Sequence, residues 1–303
     1  MAIQAELIKE LRERTGAGIV DCKNALSETN GDIERSIEIL REKGLAKVAK
    51  KAGRIASEGL VRIHFSPDYK KAAIVEVNSE TDFVAKNEDF IGFVEKLSVL
   101  AVENNWADLD EFLEIIYDNN TIKEKLNNMI ATIGENMNIR RIQKEDMPGV
   151  LYVGYIHGGG RIGVVIGLET ELAYDSIVTI GKDIAMQTAS MNPRFIDEKD
   201  VDQDYIESEK KILMQQALNE GKPKDIVEKM VIGRLKKELK ETCLLEQKFV
   251  KNADITVKQY VEDSAKALGA PIKVTCMIRY EVGEGIEKRE QNFAEEVAKQ
   301  IGI

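Results

Sequence analysis

From Ala72 to Asn78 the chain alternates. Ala73, Val75 and Val77 fall on one face and Ile74, Glu76 and Asn78 on the other, the period of a half-buried strand. Farther on, Phe90, Phe93, Val94, Leu97, Leu100 and Ala101 recur at helical spacing, with Asn87 placed to cap the turn before them. Between the two patterns lies Thr81-Asp82-Phe83-Val84-Ala85-Lys86-Asn87, a strand-to-helix junction where side chains project from a rigid scaffold. Two readings are open for it: Thr81 caps a helix while Phe83 turns into the core, or the acid and the ring face outward.

Upstream, the pattern predicts a three-helix unit. Ile3, Leu7, Ile8 and Leu11 share a helical face, the Thr15-Gly16-Ala17-Gly18 break follows, and a second helix carries Ile19, Cys22, Ala25 and Leu26. A third starts at the N-cap Asp32, carries Ile33, Ile37 and Leu40, and is expected to stop at Gly44. So small a bundle buries little apolar surface and suits docking. The basic, Ala-rich stretch 46–56 then leads to a larger α+β body. There, 57–78 reads as a hairpin turned at Ser66-Pro67-Asp68, and helices follow through Ile133, one opened by the capping box Thr121-x-x-Glu124. A second strand group is expected at 139–142, 150–156 and 161–169, then a helix over 175–191. Strands then helices, twice over, predict tandem antiparallel sheets covered by helices.

Residues 202–241 read as an antiparallel helical hairpin reversed at Gly221-Lys222-Pro223. Its thin apolar seam is assigned to Ile212, Leu213 and Ala217 facing Ile226, Met230, Ile232 and Leu235. A helix opened by Thr256-x-x-Gln259, a strand over 272–282 that completes the second sheet, and a last helix near 291–301 end the chain.

Composition narrows the function classes. With 303 residues, 43% hydrophobic and 32% charged, the chain is long enough for two or three globular domains. No apolar run approaches the ~20 residues of a membrane span, and 1–10 lacks a signal peptide's pattern, so a cytoplasmic location is expected. A formal charge of −10 argues against direct nucleic-acid binding, although Lys47, Lys50, Lys51 and Arg54 form a local basic cluster. Cys22, Cys243 and Cys276 stand far apart and suggest neither disulfides nor a zinc site.

Catalytic signatures fail on context. Gly158-Gly159-Gly160-Arg161-Ile162-Gly163 fits G-x-G-x-x-G, but Val164, Val165 and Ile166 predict a strand where a dinucleotide site needs a helix, so a hairpin turn explains the glycines better. His157 with its glycines resembles a lipase oxyanion loop, yet no G-x-S-x-G or Walker A sequence is present. With only His64 and His157 available, and His64 expected to be solvent-exposed, histidine acid-base chemistry has little support. The chain reads as an interaction protein with several docking surfaces rather than an enzyme.

One family carries the same motifs in the same order. Leu11 to Gly18 with Asp21-Cys22-Lys23-Asn24-Ala25-Leu26, Glu76-Val77-Asn78 through Asn87, Ile133-Gly134-Glu135-Asn136 with Asn138 to Arg141, His157 with Arg161 to Val164, Gly221-Lys222-Pro223, and Val282 to Lys288 together resemble bacterial elongation factor Ts. The resemblance implies a ubiquitin-associated-like three-helix domain at 1–55 and core subdomains at 56–148 and 149–282. It also implies a hairpin inserted at about 202–241 and a C-terminal helical module at 283–303. It further implies a guanine nucleotide exchange factor for elongation factor Tu. In that role Asp82 disturbs the partner's magnesium coordination, Phe83 pries the site open, and Thr81 and Val84 present the pair. Arg12, Thr15, Gly16, Gly18 and Ile19 become candidates for docking, with His157 and Arg161 beside them. Magnesium and GDP then belong to the partner, and the chain itself needs no cofactor or metal. A passive scaffold or chaperone-like binding module is the alternative, and the thin hairpin seam leaves a homodimer open.

Overall fold

Local capping chemistry sets most element boundaries in this computed structural model, which describes residues 5–220 and 223–286. Helices α1 (Ala5–Thr15), α2 (Ile19–Glu28) and α3 (Ile33–Lys51) enclose a small core of Leu11, Cys22, Ala25 and Leu26, with Leu7, Ile8, Ile33, Ile37 and Leu40 packed against it. The Asp32 carboxylate caps α3, accepting from the Arg35 N–H at 3.0 Å. The expected stop at Gly44 is not used. The helix runs through it to Lys51, because the residues beyond are strong helix formers and α3 packs along the later helix α7 (Ile122–Ile133). Lys47 and Arg54 of the basic cluster are engaged in ion pairs with Asp21 and Glu80.

The remaining elements follow in chain order: β1 (Glu58–Phe65), β2 (Ala72–Ser79), α4 (Asp82–Ala85), α5 (Glu88–Glu103), α6 (Leu109–Leu113), the small hairpin β3 (Ile116–Tyr117) and β4 (Asn120–Thr121), then α7 and β5 (Met137–Glu145). The capping box forms at α7, with Thr121 and Glu124 bonding reciprocally. After these come β6 (Val150–His157), β7 (Ile162–Glu169), α8 (Tyr174–Met191), α9 (Gln203–Asn219), α10 (Lys224–Thr242), β8 (Lys248–Phe249), β9 (Asn252–Thr256), α11 (Val257–Leu268) and β10 (Lys273–Glu281). Two three-stranded sheets result, ordered β1-β2-β5 and β10-β7-β6. The fold is thus α+β, with mixed helices and antiparallel sheet. The strand at 137–145 does not open the second sheet, as its position in the sequence suggested; it lies beside β2 in the first. The last helix near 291–301, the Gly221-Lys222 turn and most of the C-terminal module lie outside the described residues.

The described chain divides into two units. One takes residues up to Arg62, Val75–Gln143 and those from Glu281 onward; the other takes Ile63–Ile74 and Lys144–Tyr280. In the second unit β6 and β7 pair antiparallel from Val150↔Glu169 to His157↔Ile162. Gly158, Gly159 and Gly160, all at positive φ, make the turn, which removes the dinucleotide and oxyanion readings. Helix α8 lies on these strands, with Ile177 and Ile184 fully buried beside Val153 and Ile166. The seam between α9 and α10 is made by Leu213, Ala217, Val227 and Val231, whereas Ile212 and Ile232 face outward, opposite to expectation. His64 is half-buried rather than solvent-exposed.

In the first unit the expected polar face of β2 is also buried. Glu76 is fully inaccessible, and four groups meet its carboxylate. Oε1 accepts from the Gly283 N–H at 2.9 Å, Arg140 Nη1 at 3.1 Å and Asn78 Nδ2 at 3.2 Å, while Arg141 Nε donates to Oε2. Arg141 also reaches Glu284 at 3.2 Å and the Glu281 carbonyl at 3.0 Å. Gly283 sits at φ 71°, and a Cβ there would lie 2.2 Å from the Ser57 carbonyl oxygen, so only glycine fits.

Two outcomes follow. Glu76→Ala removes the buried carboxylate shared by Arg140 and Arg141, leaving Arg141 only its exposed-side contacts to Glu281 and Glu284, and should lower the unfolding free energy by about 3–5 kcal/mol, read from urea denaturation. All three cysteines are buried, with desolvation pushing the Cys243 thiol to about 11 and Cys276 to about 12. The native chain should therefore resist an aromatic disulfide reagent near neutral pH, and all three thiols should react once it is unfolded.

Candidate functional site

Strand β2 delivers the chain to Thr81, whose extended backbone (φ −124°) ends the strand and whose hydroxyl accepts from the Val84 N–H at 3.4 Å. Six residues later Asn87 caps α5, accepting from the Asp89 and Phe90 amides at 2.9 and 3.2 Å. Helix α4 is therefore a single turn held between two caps. Val84 and Ala85 face inward and are buried. Phe83 is 81% exposed, so the capping reading of Thr81 holds while the ring does not enter the core. Asp82 is half exposed and pairs with Lys86 Nζ at 2.6 Å; hydrogen bonding to that ammonium holds its carboxyl below the usual range, so it is charged at neutral pH.

Arg12 and Ile19 come together at a second place. With Ala5, Ile8, Lys9 and Glu13 they line a shallow groove on α1 and the start of α2. Thr15 and Gly16 shape the break between these helices: the Thr15 hydroxyl donates to the Leu11 carbonyl at 2.7 Å and the Gly16 N–H to that of Arg12 at 2.8 Å. Gly18 occupies the N-cap of α2. Ile19, expected on the apolar face of α2, is instead 58% exposed, and Val20 is 69% exposed. The sequence pattern did not single out Val20, which lies beside Ile19 in the first turn of α2.

In the second unit, His157 and Arg161 are exposed on either side of the β6–β7 turn, with His157 Nδ1 2.9 Å from the Tyr155 hydroxyl. Among the described residues no group of three or more His, Cys, Asp or Glu is arranged to hold a metal ion. No helix there is long and apolar enough to cross a membrane.

Residues 80–284, which begin one residue before Thr81 and end at the partner of Arg141, match a family model described as Elongation factor TS. The chain belongs to the elongation factor Ts family. It is similar over its whole length to curated relatives called Elongation factor Ts. It is 57% identical over 300 residues to that of Clostridioides difficile (strain 630) and 53% identical over 302 residues to that of Clostridium kluyveri (strain ATCC 8527 / DSM 555 / NBRC 12016 / NCIMB 10680 / K1), with 99% of each chain covered in both cases. The protein is a translation elongation factor. Membership of the elongation factor Ts family extends through α1 and α2, since the similarity to these relatives includes the three-helix unit that the family model leaves out.

Proposed function

We propose that this chain is a guanine nucleotide exchange factor that binds elongation factor Tu carrying GDP and drives GDP off so that GTP can enter. The observation that carries the reading is an 81%-exposed phenyl ring on a doubly capped helical turn, beside a carboxylate that stays ionised. A GTPase holds GDP through backbone donors around the phosphates and through a magnesium ion with near-ideal octahedral demands, so small displacements of the ion's ligands cost much affinity. Phe83 wedges into the partner beside that site and Asp82 competes for its electrostatics. Burying a Phe side chain is worth roughly 1.5–3 kcal/mol, about one to two powers of ten in the rate it can influence.

Thr81 and Val84 hold the wedge from behind and do not touch the partner. The three-helix unit, similar to ubiquitin-associated domains, docks through Arg12 and the exposed Ile19–Val20 pair, while His157 and Arg161 supply a further contact. Reciprocity follows from linkage: whatever the factor removes from nucleotide affinity, nucleotide removes from factor affinity, so GTP entry expels the factor. No bond in the nucleotide is made or broken, and magnesium and GDP remain the partner's.

With saturating factor, Phe83→Ala should slow GDP release from elongation factor Tu by about 10- to 150-fold, and Asp82→Ala should slow it too, as read with a fluorescent GDP analogue. Unchanged acceleration by folded variants overturns the wedge. Ile19→Asp with Val20→Asp should weaken binding to the partner, measured by calorimetry, while leaving the melting temperature near its original value, because neither side chain is in the core.

A further inference from the structure

Helix α4 has four residues, too few to be stable by its own hydrogen bonds. Phe83 makes no burying contact that would aim it, so its direction comes from the backbone beneath it. That backbone is gripped from the turn between α7 and β5. The Thr81 N–H donates to Glu135 Oε2 at 3.0 Å, and the Thr81 hydroxyl donates to Glu135 Oε1 at 2.7 Å. Because the hydroxyl proton is committed to Glu135, its oxygen lone pairs are left for the Val84 N–H, the cap that starts α4. The grip is reciprocal: the Asn136 N–H donates to Glu80 Oε1 at 2.5 Å, and the buried Asn136 side chain donates to the Arg54 carbonyl at 2.7 Å. Both Thr81 bonds end on a carboxylate, the stronger class of hydrogen bond, and its negative charge lies at the start of a helical turn where the backbone dipoles favour it.

We propose that Glu135 is a positioning residue for nucleotide exchange, fixing the Thr81 rotamer and thereby the direction in which Asp82 and Phe83 are presented. This rests on the reading of Phe83 as the wedge. Glu135 does not touch the partner and acts through Thr81.

The test uses the full chain in two arms. In the free protein, Glu135→Ala should speed hydrogen–deuterium exchange of the Val84 and Ala85 amides at least tenfold while β2 and α5 stay as protected as before. With elongation factor Tu, the same variant should reduce the saturating rate of GDP release by about tenfold, the equivalent of about 1.4 kcal/mol. The reduction should vanish when Phe83→Ala is already present, since a residue acting through the ring has nothing left to act on. Glu135→Gln, which can accept from the Thr81 N–H and donate to its hydroxyl, should recover most of the acceleration. Should Glu135→Ala disturb folding, Glu135→Met, which keeps the length of the side chain without its acceptors and leaves the Thr81 hydroxyl in place, should give the same pattern. Wild-type amide protection in Glu135→Ala overturns the grip itself. A full reduction that persists on top of Phe83→Ala overturns the positioning role in favour of general destabilisation. If Phe83→Ala alone leaves GDP release fully accelerated, the wedge reading has failed and the exchange role of Glu135 with it. Amide exchange at Val84 separates that outcome from a failed grip.

Discussion

A carboxylate can be kept away from water only if its charge and its lone pairs are matched, and the first unit is arranged around meeting that demand at Glu76. Two arginines from β5, an amide from β2 itself and the Gly283 N–H all converge on it. Sheet order and the course of the chain at 281–284 follow from one group's need for partners. Replacing the cluster by apolar side chains could match its contribution to stability, but it would not specify which strand lies beside β2. The register between distant segments is what an ionic cluster of this kind supplies.

Strand β2 runs directly into the junction that carries Asp82 and Phe83, so the rigidity of the strand is passed to them. A side chain presented on a fixed backbone loses little freedom when it is buried in a partner, and more of its burial energy is left to distort that partner. The same logic separates the two kinds of residue at the junction. Thr81, Val84 and Ala85 face inward and hold the turn, while Asp82 and Phe83 face outward.

Features decided within a few residues were legible in the sequence. The caps at Asp32, Asn87, Thr121 and Thr256 all form as their spacing indicated, because a cap requires only a side chain and the amides two or three positions on. The glycine turn after His157 was readable for the same reason. What failed depended on distant partners or on competing local signals. The outer face of β2 looked solvent-facing because Arg140 and Arg141 stand more than 60 positions away from Glu76. Gly44 offered a helix stop that the Ala- and Lys-rich continuation overrode. In the α9–α10 hairpin the apolar residues outnumber the seam positions, so periodicity alone could not choose Val227 and Val231 over Met230 and Ile232. For Phe83 the local pattern allowed both orientations, and the inward-facing Val84 and Ala85, which take the core-facing positions of a four-residue turn, leave the ring outside.

An uncovered phenyl ring is also a hazard, since it offers every passing protein the same contact it offers the right one. Here the hazard is confined to the width of one side chain: Asp82, Lys86, Asn87, Glu88 and Asp89 surround it in sequence, so no apolar patch of the size that drives non-specific association can form from these neighbours. A chain carrying a formal charge of −10 adds repulsion between copies. The polar residues flanking the ring thus act as a filter. A surface that can bury Phe83 must also accommodate its charged neighbours, which makes the acid beside the ring a condition for admission.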